Sequence, residues 1–127
     1  MNSLIARICA ALLMVALCGC GPLDGTCGNT IKQSAPSPDG KYVATALIRD
    51  CGATTSYSPQ VHLGTPGTSV PEAGNVFIGH RSEQIQVKWI SATNLMIYSD
   101  CEVRRHVTNY NGITITFEKR APDANDR

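Results

Sequence analysis

What this 127-residue sequence lacks narrows its possibilities before any motif does. It has no excess of charge, since 11 Lys and Arg face 10 Asp and Glu. It has no basic run either, because Arg104-Arg105 is only a pair. Phosphate binding needs clustered Lys and Arg, so no nucleic-acid partner is expected. It has no long apolar stretch: "ICAALLMVAL", Ile8 to Leu17, is unbroken but far short of the roughly 20 residues a spanning helix takes. After Gly21 no segment carries a helical period, and no Gly-rich loop joins a strand to a helix, so no nucleotide or other cofactor is expected. Asp50, Glu72, Glu83, Asp100 and Glu102 are scattered rather than paired at a catalytic spacing. Cys27, Cys51 and Cys101 form no C-x-x-C pair and have no His at ligand spacing, which excludes a metal site of the usual pattern.

What is present begins with an export signal. A short polar start carries Arg7, the apolar run follows, and small residues then lead into a cysteine. Leu17-Cys18-Gly19-Cys20 resembles a bacterial lipobox, which implies removal of residues 1–19 and lipidation of Cys20. Gly19 lets a signal peptidase approach, the Cys20 thiol takes a diacylglycerol, and its freed amine takes a further acyl chain. Two or more chains give stable anchoring where one does not. With Gly21 rather than Asp at the second mature position, the resemblance implies an outer-membrane lipoprotein facing the periplasm. The expected organisation is a signal peptide at 1–19, a lipidated tether at 20–30, a β domain at 31–119 and a disordered tail at 120–127.

Processing would leave Cys27, Cys51 and Cys101 in an oxidising compartment, where disulfides persist. An odd number permits at most one internal bridge. Spacing alone does not choose the pair. Cys27 lies near a tether that gains from being pinned, and Cys51 ends the first clear strand. Their bridge would close a loop of about 25 residues, worth roughly 3 kcal/mol in the chain-entropy picture. Cys51 with Cys101 is the competitor.

The remaining chain reads as an all-β, antiparallel sheet or small sandwich of about seven short strands. Gly21 to Thr30 is Gly-rich tether, and "SAPSPDG" (Ser34 to Gly40) is turn chemistry. Strands follow in "KYVATALIR", "QVHLG", "NVFIG", "EQIQVKWI", "LMIYS", "EVRRHVT" and "GITITFE". In "EQIQVKWI", Ile85, Val87 and Trp89 alternate against Gln84, Gln86 and Lys88, which predicts the glutamines on the polar face. Tyr110-Asn111-Gly112 marks a hairpin. A two-residue loop would pair Tyr110 with Ile113 and set Arg104 against Lys119. A three-residue loop pairs Val107 with Ile115 and Arg104 with Glu118, and side-chain matching favours it. It gathers Val103, Val107, Ile113, Ile115 and Phe117 on one face and His106 on the other. "SPDGKYVATAL" resembles a blade hairpin of TolB-type propellers, but the chain has material for about two blades, which implies blade-like hairpins rather than a propeller.

Chemistry is harder to find. Cys51 with His62, His80 or His106 would make a thiol and its base. Each His, however, falls at a polar-facing or turn position where surface exposure is expected, so no enzyme is predicted. "DCGATTSYS" (Asp50 to Ser58) is the one particular stretch. It reads either as a stapled turn whose hydroxyls bond its own backbone, or as a recognition loop. In the second reading Asp50, Gly52, Thr54, Thr55 and Tyr57 are the candidate contacts.

"CGN", "SPDGKY", "RDCGATTSYS", "GNVFI" and "VKWIS" occur in that order from Cys27 onward. Together they resemble an uncharacterised family of small exported bacterial proteins, a domain of unknown function. The resemblance implies that the Cys of "CGN" pairs with the Cys of "DCGATT", here Cys27 with Cys51, leaving Cys101 as the spare. It transfers no catalytic residue. The expected function is therefore that of a membrane-anchored envelope lipoprotein, non-enzymatic, binding another envelope protein. The alternative is an inhibitor of a secreted hydrolase such as lysozyme.

Overall fold

The computed structural model describes residues 27–70 and 73–122. The expected signal peptide at 1–19, the lipidation site Cys20, most of the tether and the last residues of the tail lie outside them.

The described chain is all-β. Nine strands follow in order: β1 (Gly28–Pro36), β2 (Val43–Asp50), β3 (Ser58–Gly64), β4 (Phe77–His80), β5 (Gln86–Ser91), β6 (Asn94–Ser99), β7 (Glu102–His106), β8 (Asn109–Tyr110) and β9 (Ile113–Lys119). They form a five-stranded sheet, β1-β2-β3-β4-β7, and a four-stranded sheet, β5-β6-β9-β8. All neighbouring pairs are antiparallel except β6 and β9, which run parallel.

Alternation explains the core. Ala44, Ala46 and Ile48 of β2, Val61 and Leu63 of β3, and Phe77 of β4 point inward from the larger sheet. Val87 of β5, Leu95 and Ile97 of β6, and Ile113 and Ile115 of β9 meet them from the smaller one. The two inner faces thus bury one another, as in a sandwich. The larger sheet is also covered on its outer side. Thr45, Leu47, Gln60 and His62 are buried there, and the chain after β3 is held back across the sheet by Gln60 and Asn75. The Gln60 carboxamide accepts from the Gly74 N–H at 2.7 Å. The Asn75 carboxamide accepts from the Leu63 N–H and donates to its carbonyl, both at 2.8 Å.

Two strands depart from the sequence expectation. The first is β1, which runs through the end of the expected tether and into the expected Ser34–Gly40 turn. The reversal is shorter and comes later. The Ser37 N–H bonds the Tyr42 carbonyl at 2.8 Å, Gly40 sits at φ 72°, and Asp39 accepts from the Ser37 hydroxyl at 2.7 Å. That hydroxyl, followed by the Lys41 N–H, holds the Asp39 carboxyl below its ordinary range.

The second is the hairpin at Asn111-Gly112. The loop has two residues, not three: Tyr110 pairs with Ile113, and Asn111 and Gly112 sit at φ 50° and 85°. Both angles are positive, as a primed two-residue turn requires. The Arg104–Lys119 repulsion that disfavoured this register never arises, because the strand leaves the hairpin. β7 pairs with β4 in the larger sheet instead, with Ile78 opposite Arg105. Val103 is therefore exposed rather than gathered with Ile113 and Ile115. His106, expected on the opposite face, packs edge-on against both Phe77 and Phe117 and donates from Nε2 to the Ile115 carbonyl at 2.8 Å.

Chain β7–β8 thus passes from one sheet to the other at Val107-Thr108. There the Val107 N–H bonds the Val76 carbonyl and the Ile115 N–H bonds the Thr108 carbonyl, both at 2.9 Å. The opposite edges are joined too. The Gln33 carboxamide of β1 donates to the Val87 carbonyl of β5 at 2.9 Å and accepts from the Val87 N–H at 3.0 Å. The Trp89 indole N–H donates to the Ala35 carbonyl at 2.8 Å. The sandwich is consequently stitched along both sides, in the manner of a flattened barrel.

Candidate functional site

The sequence singles out Asp50 to Ser58, and the structure builds this loop on a covalent rung. Gly28 and Asp50 are opposed in the β1–β2 ladder. Cys27 and Cys51 are next in line, and a disulfide joins them with their Cα atoms 4.1 Å apart. The alternative of Cys51 with Cys101 is not formed: Cys101 is a free, buried thiol. Its sulfur lies over Gly79, so close that a side chain at that position would collide with it and with the Pro59 ring.

Beyond the disulfide the loop bonds mostly to itself. The Asp50 carboxylate accepts from the Gly52 N–H at 3.0 Å, an Asx turn, and Gly52 takes φ 112°. Thr55 closes the next turn, its N–H and its hydroxyl both donating to the Gly52 carbonyl at 3.1 and 3.0 Å. Ser56 reaches the end of β4, where its hydroxyl lies 2.6 Å from His80 Nδ1. The Arg81 N–H bonds the Tyr57 carbonyl at 3.0 Å, with Arg81 itself at φ 60°. Of the candidate contacts, Asp50, Gly52 and Thr55 are engaged in holding the turn. Thr54 and Tyr57 face outward, and the Tyr57 side is 44% exposed. The loop is thus rigid at its base and presents one aromatic ring.

The same geometry shows where the candidate thiol and the histidines lie. Cys51 is oxidised, so it offers no thiolate to any His. The histidines are not the surface groups that the alternation predicts. His62 is 9% exposed on β3, and burial pushes its imidazole below the ordinary value of 6.5. His80 and His106 are half-buried. The Ser56–His80 contact has the reach of a nucleophile and base, the pair that in catalytic sites is commonly oriented by a third group. No carboxylate bonds His80 among the described residues, nor do they hold a cluster of His, Cys, Asp and Glu fit for a metal ion.

A second place was not legible in the sequence. Where β1 and β5 diverge, a groove of about 520 Å³ is lined by Lys32, Gln33, Glu83, Gln84, Ile85, Gln86 and Pro122. Gln86, expected to face solvent, is 4% exposed. Its cross-strand neighbour is Tyr98, over whose ring the Arg120 guanidinium stacks at 4.1 Å. Neither the Nε2 nor the Oε1 of Gln86 has a hydrogen-bond partner. Leaving buried polar groups unsatisfied costs about 1–3 kcal/mol each. Strict alternation correctly places Gln86 opposite Val87. What it misses is that residues after β9 lie at this face, with Arg120 stacked on Tyr98 and Pro122 lining the groove.

The profile of a family of unknown function (DUF5412) matches residues 23–112, and the chain belongs to that family. No curated protein and no solved structure matches it.

Proposed function

We propose that this member of the family is a lipid-anchored envelope protein and acts as a non-enzymatic binding module. On this reading Cys20 carries the lipid, residues 1–19 are removed, and the domain faces the periplasm from the outer membrane. The supporting observation is the Cys27–Cys51 disulfide. Disulfides persist in oxidising compartments, and this one sits where the N-terminal segment joins the sheet, fastening it to both β1 and β2. A domain pulled by a tether is held best at that point. Its proposed partner is another envelope protein. Metabolic labelling with [³H]palmitate tests the anchor: label is expected in the wild type and lost in Cys20→Ala, with globomycin blocking maturation. An unlabelled wild type would overturn the assignment.

The exposed Tyr57 ring on a rigidly based loop favours one second reading, an inhibitor of a secreted hydrolase. An excess of the protein that leaves lysozyme fully active removes the lysozyme form of it.

A further inference from the structure

The seam between β1 and β5 opens at a bulge. Register slips between Ile31 and Gln33, leaving Lys32 as the extra residue. Bulges re-aim neighbouring side chains, and here Gln33 swings across to bond both main-chain groups of Val87. Beside this contact lies the groove, with Lys32, Gln84 and Glu83 at its walls and Gln86 within it. Gln86 is 4% exposed and its amide has no partner at either end. Native proteins rarely leave such groups unmatched. Other carboxamides that link elements of this fold are matched at both ends: Gln60 to Gly74 and Ser58, Asn75 to Leu63, Gln33 to Val87.

We infer that this groove binds an extended peptide segment, one residue of which gives its N–H and C=O to the Gln86 carboxamide. An anion would satisfy Nε2 and oppose Oε1, and a cation would do the reverse. Only a group with a donor and an acceptor side by side completes both. The walls carry one cation, Lys32, and one anion, Glu83, which suits a neutral main chain rather than a charged ligand. The fold itself shows the pairing twice. Asn75 holds the N–H and C=O of Leu63, and Gln33 holds those of Val87, in each case a single extended residue. Gln86 is the adjacent residue on the same strand and offers the same pair of atoms.

Both amide atoms are closed to solvent, so the peptide reaches them by displacing side chains of the groove lining. Such main-chain recognition leaves sequence preference to the pockets beside it.

This inference rests on the reading of the domain as a binding module, and its test separates the two. The full ¹⁵N-labelled chain in detergent micelles is titrated with acetyl-Thr-Val-Thr-amide and, in parallel, with N-acetylglucosamine. With the peptide, the Gln86 side-chain amide protons are expected to shift downfield and exchange more slowly with water, while those of Gln33 stay unchanged. Gln86→Met keeps the length and removes donor and acceptor; it is expected to fold and to bind the peptide at least about tenfold more weakly. Peptide that leaves the Gln86 signals unmoved, or that binds Gln86→Met equally well, overturns the proposal. Gln86 signals that respond to the acetamido sugar alone overturn the peptide assignment while the binding-module reading stands.

Discussion

Removing the Cys27–Cys51 bridge is expected to cost the domain a large share of its stability. The two cysteines are 24 positions apart, and a closed loop of about that length is worth roughly 3 kcal/mol in unfolded-chain entropy. For a domain of roughly 100 residues, each kcal/mol moves Tm by about 4–8 °C. Cys27→Ser/Cys51→Ser should therefore melt roughly 12–24 °C below the oxidised wild type. Trp89, the single tryptophan, reports on the β1–β5 seam through its bond to Ala35, so urea unfolding followed by its fluorescence measures the loss. Hydrogen exchange adds a local check. Without the staple, Gly28 to Ile31 should exchange first, because this end of β1 is exposed. Cys101, 1% exposed, has no part in the effect, and reduced wild type should match the double variant. A loss below about 1 kcal/mol, or reduced and oxidised wild type melting together, would refute the entropic reasoning.

Gln33→Leu strips both bonds from the Val87 main chain at the edge of β5. A loss of about 2 kcal/mol is expected, together with faster exchange of the Val87 amide; unchanged exchange there would mean that Gln33 does not close the seam. His62 gives a pH dependence. Burial depresses its folded pKa below 6.5, so below that pH the unfolded chain takes up a proton that the folded one resists. Stability should fall as pH drops through 6.5, and His62→Gln should flatten that slope between pH 7.5 and 5.5 in urea midpoints.

The strands with a strong apolar rhythm were legible because one buried face dictates their pattern. β2, β3, β5, β6 and β9 all fall where Val, Ile and Leu predict them. β1 was not legible, because "GNTIKQSAP" has no such rhythm. It is an edge strand whose place is set by its β2 partner, the disulfide and Gln33, all of them contacts distant in sequence. The hairpin register failed for a related reason. Matching Arg104 with Glu118 assumed that the strand stays with its hairpin partner, and nothing local reports that it leaves for β4. The disulfide came from the family resemblance, since spacing left two pairings open. At the candidate loop, the sequence located the residues but not their employment. Whether Thr55 bonds outward or back to Gly52 depends on backbone angles that a string of residues does not display. Gln86 escaped because its burial depends on tertiary packing around the groove, which alternation within β5 does not encode.

The parallel pairing of β6 with β9 also dictates an order of assembly. β9 inserts between β6 and β8, yet among the described strands it is the last in sequence. Until Ile113–Lys119 has paired, β6 shows a bare edge, Leu95 and Ile97 lack the neighbours Ile115 and Phe117, and the smaller sheet is only the β5–β6 hairpin. Such a hairpin alone is marginal in water, so the smaller sheet cannot close over the larger one until β9 is in place. Closing the smaller sheet thus depends on a pairing distant in sequence, the kind of contact that slows folding. A sandwich built in this way gains its second layer only when β9, a strand distant in sequence from β6, takes its place.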